Sequence, residues 1–154
     1  MRIDGLQYAN WSEKIFRQMR QGGVDAVHVT IAYHEVFRET VLNIEQWNRW
    51  FQAYPDLIFQ GYWASDVDLA CQTGRTAIFF GFQNPSPIED DIGLVEIVHR
   101  LGARFMQLYR SYFKTRKFSW VMTRKLSDTL SRNFVHSCGM VARMNARMAS
   151  ANCF

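Results

Sequence analysis

The sequence predicts an α/β fold, a parallel sheet with helices packed outside it. Three observations carry this reading. Apolar stretches rich in β-branched residues alternate with helix-spaced stretches as strand, helix, strand, helix through about residue 108. The stretch Thr76-Ala77-Ile78-Phe79-Phe80-Gly81-Phe82 is apolar on both faces, the pattern of a strand buried on both sides. Helix-like stretches run into Gly22-Gly23, Pro55, Gly74 and Gly102, residues that end helices.

The elements follow in order. Arg2–Leu6 is a short first strand centred on Ile3 and closed by Gly5. Ser12 is a good N-cap for a helix in which Glu13 suits the first turn and Ile15, Phe16 and Met19 share one face. Ala26-Val27-His28-Val29-Thr30-Ile31 reads as a buried parallel strand. A helix then runs from about Glu39 to Tyr54, with Val41, Leu42, Ile44, Trp47, Trp50 and Phe51 as its apolar stripe and Pro55 as its stop. Leu57–Tyr62 is a short extended piece, and Ser65 caps a short helix ending at Gly74. The strand at Thr76–Phe82 leads into Asn84-Pro85-Ser86-Pro87, a stiff loop. Ile92–Leu101 is helical with Leu94, Ile97, Val98 and Leu101 on one face, and Ala103–Leu108 is a further strand. The main strands therefore centre near residues 4, 28, 79 and 105.

Chemistry in such sheets sits at the carboxyl ends of the strands. The residues placed there are Gln7 and Tyr8, Tyr33 to Glu35, Gln83 and Asn84, and Gln107, polar but mostly neutral. No Gly-rich phosphate loop follows a strand, because Gly22-Gly23 precedes one, so a dinucleotide site is not expected. His28 lies mid-strand and reads as a satisfied core histidine. His34 and Glu35, just past a strand end, read as a surface loop pair, although a ligand or base could work there. His99 beside Arg100 complements a helix dipole. His136 and Cys138 have no second pair to complete a zinc site.

The chain has 154 residues, 48% apolar and 21% charged, a composition that argues against wholesale disorder. No run of about 18 apolar residues is present, so no membrane span is expected. The N-terminal stretch contains Asp4 and lacks the apolar region of a secretory signal. Cys71, Cys138 and Cys153 show no zinc or redox spacing, which points to a reducing, cytoplasmic setting. The net charge of +4 hides a split. Residues through Leu108 hold 9 basic and 13 acidic side chains, and the remainder holds 9 basic ones against Asp128 alone.

A set of ordered motifs resembles one family. These are Ile3-Asp4-Gly5, then Gly22-Gly23-Val24 before an apolar strand, then Gly74-Arg75-Thr76-Ala77-Ile78-Phe79-Phe80-Gly81-Phe82-Gln83. Asp91-Ile92-Gly93-Leu94 and Leu101-Gly102-Ala103-Arg104-Phe105-Met106-Gln107-Leu108 follow. Over about residues 2–108 they resemble the membrane (renal) dipeptidases, amidohydrolase-like metallopeptidases. The resemblance implies a (β/α)8, TIM-type barrel, incomplete here at about four βα units and followed by a basic tail of helical character. It implies hydrolysis of dipeptides or related amides by a water held between two zinc ions. It also marks departures. Leu6 and Tyr8 stand where the family has metal ligands, and Gln83 stands where a glutamate bridges both metals. A leucine offers no donor atom, and a neutral amide does not offset two dications. The expectation is that no intact metal site forms, that this chain binds no zinc, and that it does not hydrolyse peptides. Gln7, Tyr8, His34, Gln83, Asn84 and Gln107 are then candidates for a polar pocket, or else serve strand-end backbone groups.

The resemblance stops near Leu108, where the charge also switches, which divides the chain into a partial barrel at 1–108 and a basic tail at 109–154. One reading makes the tail a non-enzymatic binding module. Tyr109, Tyr112, Phe113, Phe118 and Trp120 interleave with Arg110, Lys114, Arg116 and Lys117, as in single-strand nucleic-acid binding. Met140, Met144 and Met148 beside Arg143 and Arg147 suit an acidic partner or surface. The other reading takes the tail as an out-of-frame continuation, which makes nucleic acid an unexpected partner. A complete barrel needs on the order of 250 residues. Half of one leaves open sheet edges and an uncovered apolar interior, so self-association is expected.

Overall fold

A computed structural model gives the fold of residues 1–107, and every structural statement below concerns those residues. The elements are β1 (Ile3–Gln7), α1 (Glu13–Gln21), β2 (Ala26–Ala32), α2 (Phe37–Ala53), β3 (Ile58–Gln60), α3 (Ser65–Thr73), β4 (Thr76–Phe82), α4 (Leu94–Arg100) and β5 (Ala103–Met106). A single 3-10 turn covers Ser86–Ile88. The alternation expected from the sequence is present, and every strand pair is parallel.

β4 is the centre of the sheet. One edge pairs with β2, which in turn pairs with β1. The other edge is shared. β3 takes its first half, from Ile58↔Thr76 to Gln60↔Ile78, and β5 takes its second half, from Phe80↔Ala103 to Phe82↔Met106. Side chains alternate across the sheet, so the two faces of β2 and β4 bury different sets. Val27, Val29 and Ile31 join Ile78, Phe80 and Phe82 under α1, α2 and α4, which contribute Phe16, Met19, Ile44, Trp47, Val95 and Val98. Ala26, Ala77 and Phe79 face the other way and are covered by Val67 and Ala70 of α3.

The placement of α3 has a topological cause. From β1 to β2 to β4 the chain advances across the sheet in one direction. From β3 back to β4 it reverses, so a right-handed crossover must pass over the opposite face. The apolar inner face is therefore partly covered by α3 rather than left open as the sequence reading had it.

Several local expectations need correction. Ser12 occupies the N-cap of α1 but makes no side-chain capping bond. Ser65 is the first residue inside α3, with Ala64 at the cap. The Asp66 carboxylate instead accepts from the Tyr62 and Trp63 amides at 2.7 and 2.8 Å and fixes the entry. In α4 the buried pair is Val95 and Val98, while Ile97 is 44% exposed. Leu42 likewise points outward from α2. No helix among the described residues is long and apolar enough to cross a membrane.

Gly74 ends α3 at φ +67°, a left-handed conformation, and a Cβ there would meet nothing closer than an Arg20 guanidinium nitrogen at 3.9 Å. The penalty for Gly74→Ala is then purely conformational. A loss of about 1–2 kcal/mol is expected in urea denaturation, with an unchanged slope.

Candidate functional site

β1 and β2 stay paired only as far as Gln7↔Val29, and the register shifts between Asp4 and Gln7. β2 continues to Ala32 against β4 alone. The strands therefore part at their carboxyl ends, and a cavity of about 700 Å³ opens in the wedge. Its strand-end wall is Thr30, Ile31 and Gln83. Its loop wall is Tyr8, Ala9 and Trp11 on one side and Tyr33, His34 and Glu35 on the other. α2 closes it with Asn43, Gln46, Trp47 and Trp50.

The polar groups of this wall are tied to the scaffold. Gln83 Nε2 donates to Thr30 Oγ1 at 3.0 Å, bridging β4 and β2. Asn43 Nδ2 donates to the Ile31 carbonyl at 2.9 Å, fixing α2 to the end of β2. Asn84 is buried behind the rim, where Nδ2 donates to the Tyr33 carbonyl at 2.6 Å and Oδ1 has no partner. The Glu35 carboxylate accepts the Tyr33 and His34 amides at 2.5 and 2.9 Å. Burial works to raise the Glu35 pKa. The amides of Tyr33, of Glu35 itself and of His34, together with the His34 ring, outweigh it and hold the carboxyl below the ordinary glutamate range.

A second cavity, about 250 Å³, lies on the inner face of the sheet between Gly5, Leu6, His28, Phe82, Gln83, Phe105, Met106 and Gln107. Gln83 is shared by both cavities. His28 Nδ1 lies 2.8 Å from the Gly5 carbonyl, and its ring packs on Phe105 with centroids 4.6 Å apart. A carbonyl only accepts, so Nδ1 carries the proton and Nε2 is left as an acceptor. Nε2 is buried without a partner, so His28 is a core histidine that is only half satisfied.

Desolvation pushes the His28 pKa down, against the opposing pulls of the Gly5 carbonyl and Asp4. The unfolded chain then binds the proton more readily than the folded one. Stability is full above the ordinary value of 6.5 and declines as pH falls through it toward the lowered folded value. Urea denaturation at about pH 7 and pH 5 should show this loss, and His28→Gln should reduce the difference between the two.

The candidates from the sequence are thus divided. Tyr8, His34 and Gln83 meet in the larger cavity, while Leu6, Gln83 and Gln107 meet in the smaller one. Gln7 and Asn84 line neither. The sequence reading missed Trp11, Thr30, Asn43, Gln46 and the inward role of Trp47 and Trp50. Their signal was available in α2, where Asn43, Gln46 and Trp50 recur at i, i+3 and i+7 beside the apolar stripe.

Leu6, Tyr8 and Gln83 stand at the positions where the resemblance expects metal ligands. Leu6 is 52% exposed and has no donor atom, Tyr8 is 80% exposed, and the Gln83 amide is bonded to Thr30. Among the described residues no three His, Cys, Asp or Glu side chains come together to hold a metal ion. The expectations placed on residues 109–154, including the His136/Cys138 pair, lie outside the described residues.

No protein-family model and no curated protein matches the sequence. Solved structures do. An amidohydrolase from Pseudomonas aeruginosa superposes with a TM-score of 0.79 and 30% identity, over 86% of this chain and 43% of its own. The structure neighbours are an amidohydrolase and dipeptidases. The dipeptidase AC, a metallopeptidase, gives a TM-score of 0.59 at 14% identity, over 68% of this chain and 41% of its own. The probable dipeptidase PvdM from Pseudomonas aeruginosa gives 0.55 at 14% identity, over 61% and 27%. At 14% identity the latter two speak to the fold alone. The chain spans less than half the length of each neighbour. The fold is accordingly an incomplete TIM-type barrel, the fold that the amidohydrolase-like resemblance read in the sequence implies.

Proposed function

We propose that residues 1–108 form a dipeptidase-like part-barrel whose strand-end cavity holds a small peptide or amide without metal-dependent hydrolysis. Residues 109–154 are then a separate basic segment. The observation that carries this reading is Gln83. The position at which the family resemblance expects a bridging carboxylate carries a neutral amide, oriented by its Nε2 donating to Thr30. A neutral amide next to a hydroxyl suits hydrogen bonding to a peptide group, which presents one donor and one acceptor. It does not suit a pair of dications. The chemistry left to this wall is therefore binding and orientation. At family level the metallopeptidase neighbour points to a metal, and zinc is the ion the resemblance implies. In this chain Leu6, Tyr8 and Gln83 leave no donor set for it.

Titration of dipeptides in the presence of a chelator tests the reading. Binding that survives chelation, with the dipeptide recovered intact, is expected. Binding that requires a metal, or recovery of free amino acids, contradicts it. Gln83→Glu alone should not create peptidase activity, because Leu6 still has no ligand atom and the Tyr8 phenol is an uncommon zinc ligand. It should instead weaken dipeptide binding, by roughly 1–3 kcal/mol, because residue 83 loses its amide donor and the Thr30 hydroxyl turns to donate to the new carboxylate. β1 has no strand partner on its outer edge among the described residues. Pairing of that edge with a second copy in a reducing, cytoplasmic setting belongs to the same proposal. Size-exclusion chromatography should show a concentration-dependent oligomer, and a sharp monomer at all concentrations would count against it.

A further inference from the structure

We propose that the larger cavity selects ligands bearing an ammonium group, seated against the Trp11, Trp50 and Tyr33 rings with Glu35 as counter-ion. This rests on the cavity being a ligand site, as argued above, and adds the charge of its occupant.

Three observations carry it. The first is composition. Among the described residues lining the cavity, Glu35 is the one acid and no lysine or arginine is present. A carboxylate-bearing ligand would find no lysine or arginine on this wall, only the His34 imidazole, whereas a cation would find one anion. The second is the geometry of the rings. Trp47 meets Trp11 at 63° and Trp50 at 88°, with centroids 5.0 and 4.9 Å apart. The indoles stand across one another instead of stacking flat. Aromatic faces attract cations, and tryptophan does so most strongly. The third is the placement of the charge. Glu35 is held by two backbone amides at the rim, so its position does not depend on a flexible side chain alone. Those amides also favour its ionised form. The other titratable groups on the wall are the Tyr8 and Tyr33 phenols and the His34 imidazole.

The shared chemistry is the ammonium group, which a quaternary ligand or the amino terminus of a peptide can supply. Two probe pairs separate these sources. One is choline with its uncharged carbon isostere. The other is alanyl-alanine amide with its N-acetyl form. Binding to the full chain is followed by tryptophan fluorescence at about pH 7, where a peptide amino terminus is mostly protonated. At least one cation should bind about ten-fold or more tighter than its uncharged counterpart, a difference equal to about 1.4 kcal/mol. Whichever pair shows the ratio identifies the source. Glu35→Gln should remove most of that preference. Tyr33→Leu, at an exposed position that leaves the core intact, should reduce it several-fold. Ratios below ten-fold in both pairs overturn the proposal, as does a preference unchanged in both variants. Tight binding of the N-acetyl dipeptide amide would overturn it while leaving the proposed function standing. Metal-dependent cleavage would overturn the proposed function without bearing on the charge preference.

Discussion

Gly81→Ala should be among the most damaging single-methyl additions in the barrel. A Cβ at Gly81 would lie 1.7 Å from His28 Nε2 and 2.6 and 2.7 Å from its two neighbouring ring carbons. The His28 ring cannot swing aside cheaply, because Nδ1 is bonded to Gly5 and the ring rests on Phe105. Gly81 cannot move either, since it pairs with Thr30 on one side and Phe105 on the other. Overpacking of a tight site costs about 1–3 kcal/mol, and this contact belongs at or above the upper end. That is a large share of a typical stability of about 5–15 kcal/mol. The cause can be isolated with a double-mutant cycle. In a His28→Ala background the added methyl no longer meets the imidazole, and alanine in a strand is favoured over glycine by about 0.5–1 kcal/mol. Gly81→Ala should then be neutral or stabilising. If it remains as costly without the imidazole, the clash is not its cause.

Phe16→Ala is the second large effect. Phe16 is fully buried, and its ring lies 5.7–6.2 Å from those of Trp11, Trp47, Trp50 and Tyr54. Truncation removes the ring about which α1, α2 and the loop after β1 are packed. The expected loss is about 3–5 kcal/mol, with about 1–1.5 kcal/mol for Phe16→Leu, which keeps most of the volume. Trp11, Trp47 and Trp50 also line the larger cavity, so a variant that still folds should bind its ligand more weakly. Equal ligand affinity in Phe16→Leu and wild type, together with a stability loss, would show that core and cavity are uncoupled.

The elements whose sequence signal is local were legible. β4, and β2 apart from His28 and Thr30, are apolar on both faces, the pattern of a parallel strand covered on both sides. α2 was placed to within about two residues because its stripe is long and Pro55 closes it. The errors have physical causes. In α4 a short helix offers two apolar rows one residue apart, and tertiary packing chose Val95 and Val98 over the row containing Ile97. The side of the sheet taken by α3 follows from the order β2-β4-β3, which no local pattern encodes.

The site shows the same division. Gln83, Tyr8 and His34, proposed because strand ends are where such folds place their chemistry, line the larger cavity. The wedge itself depends on where β1 leaves β2, a register event near Gly5 and Leu6 with no residue-level signature. Trp47 and Trp50 read as core because an aromatic on an apolar stripe usually is. Here the stripe serves both the core and the cavity.

The central claim is that the strand-end cavity works without a metal centre. The most direct test is the metal content of the purified full chain after equilibration with excess zinc and removal of the unbound ion, measured alongside dipeptide turnover. The account predicts substoichiometric zinc and intact dipeptide. Stoichiometric zinc together with turnover would contradict it.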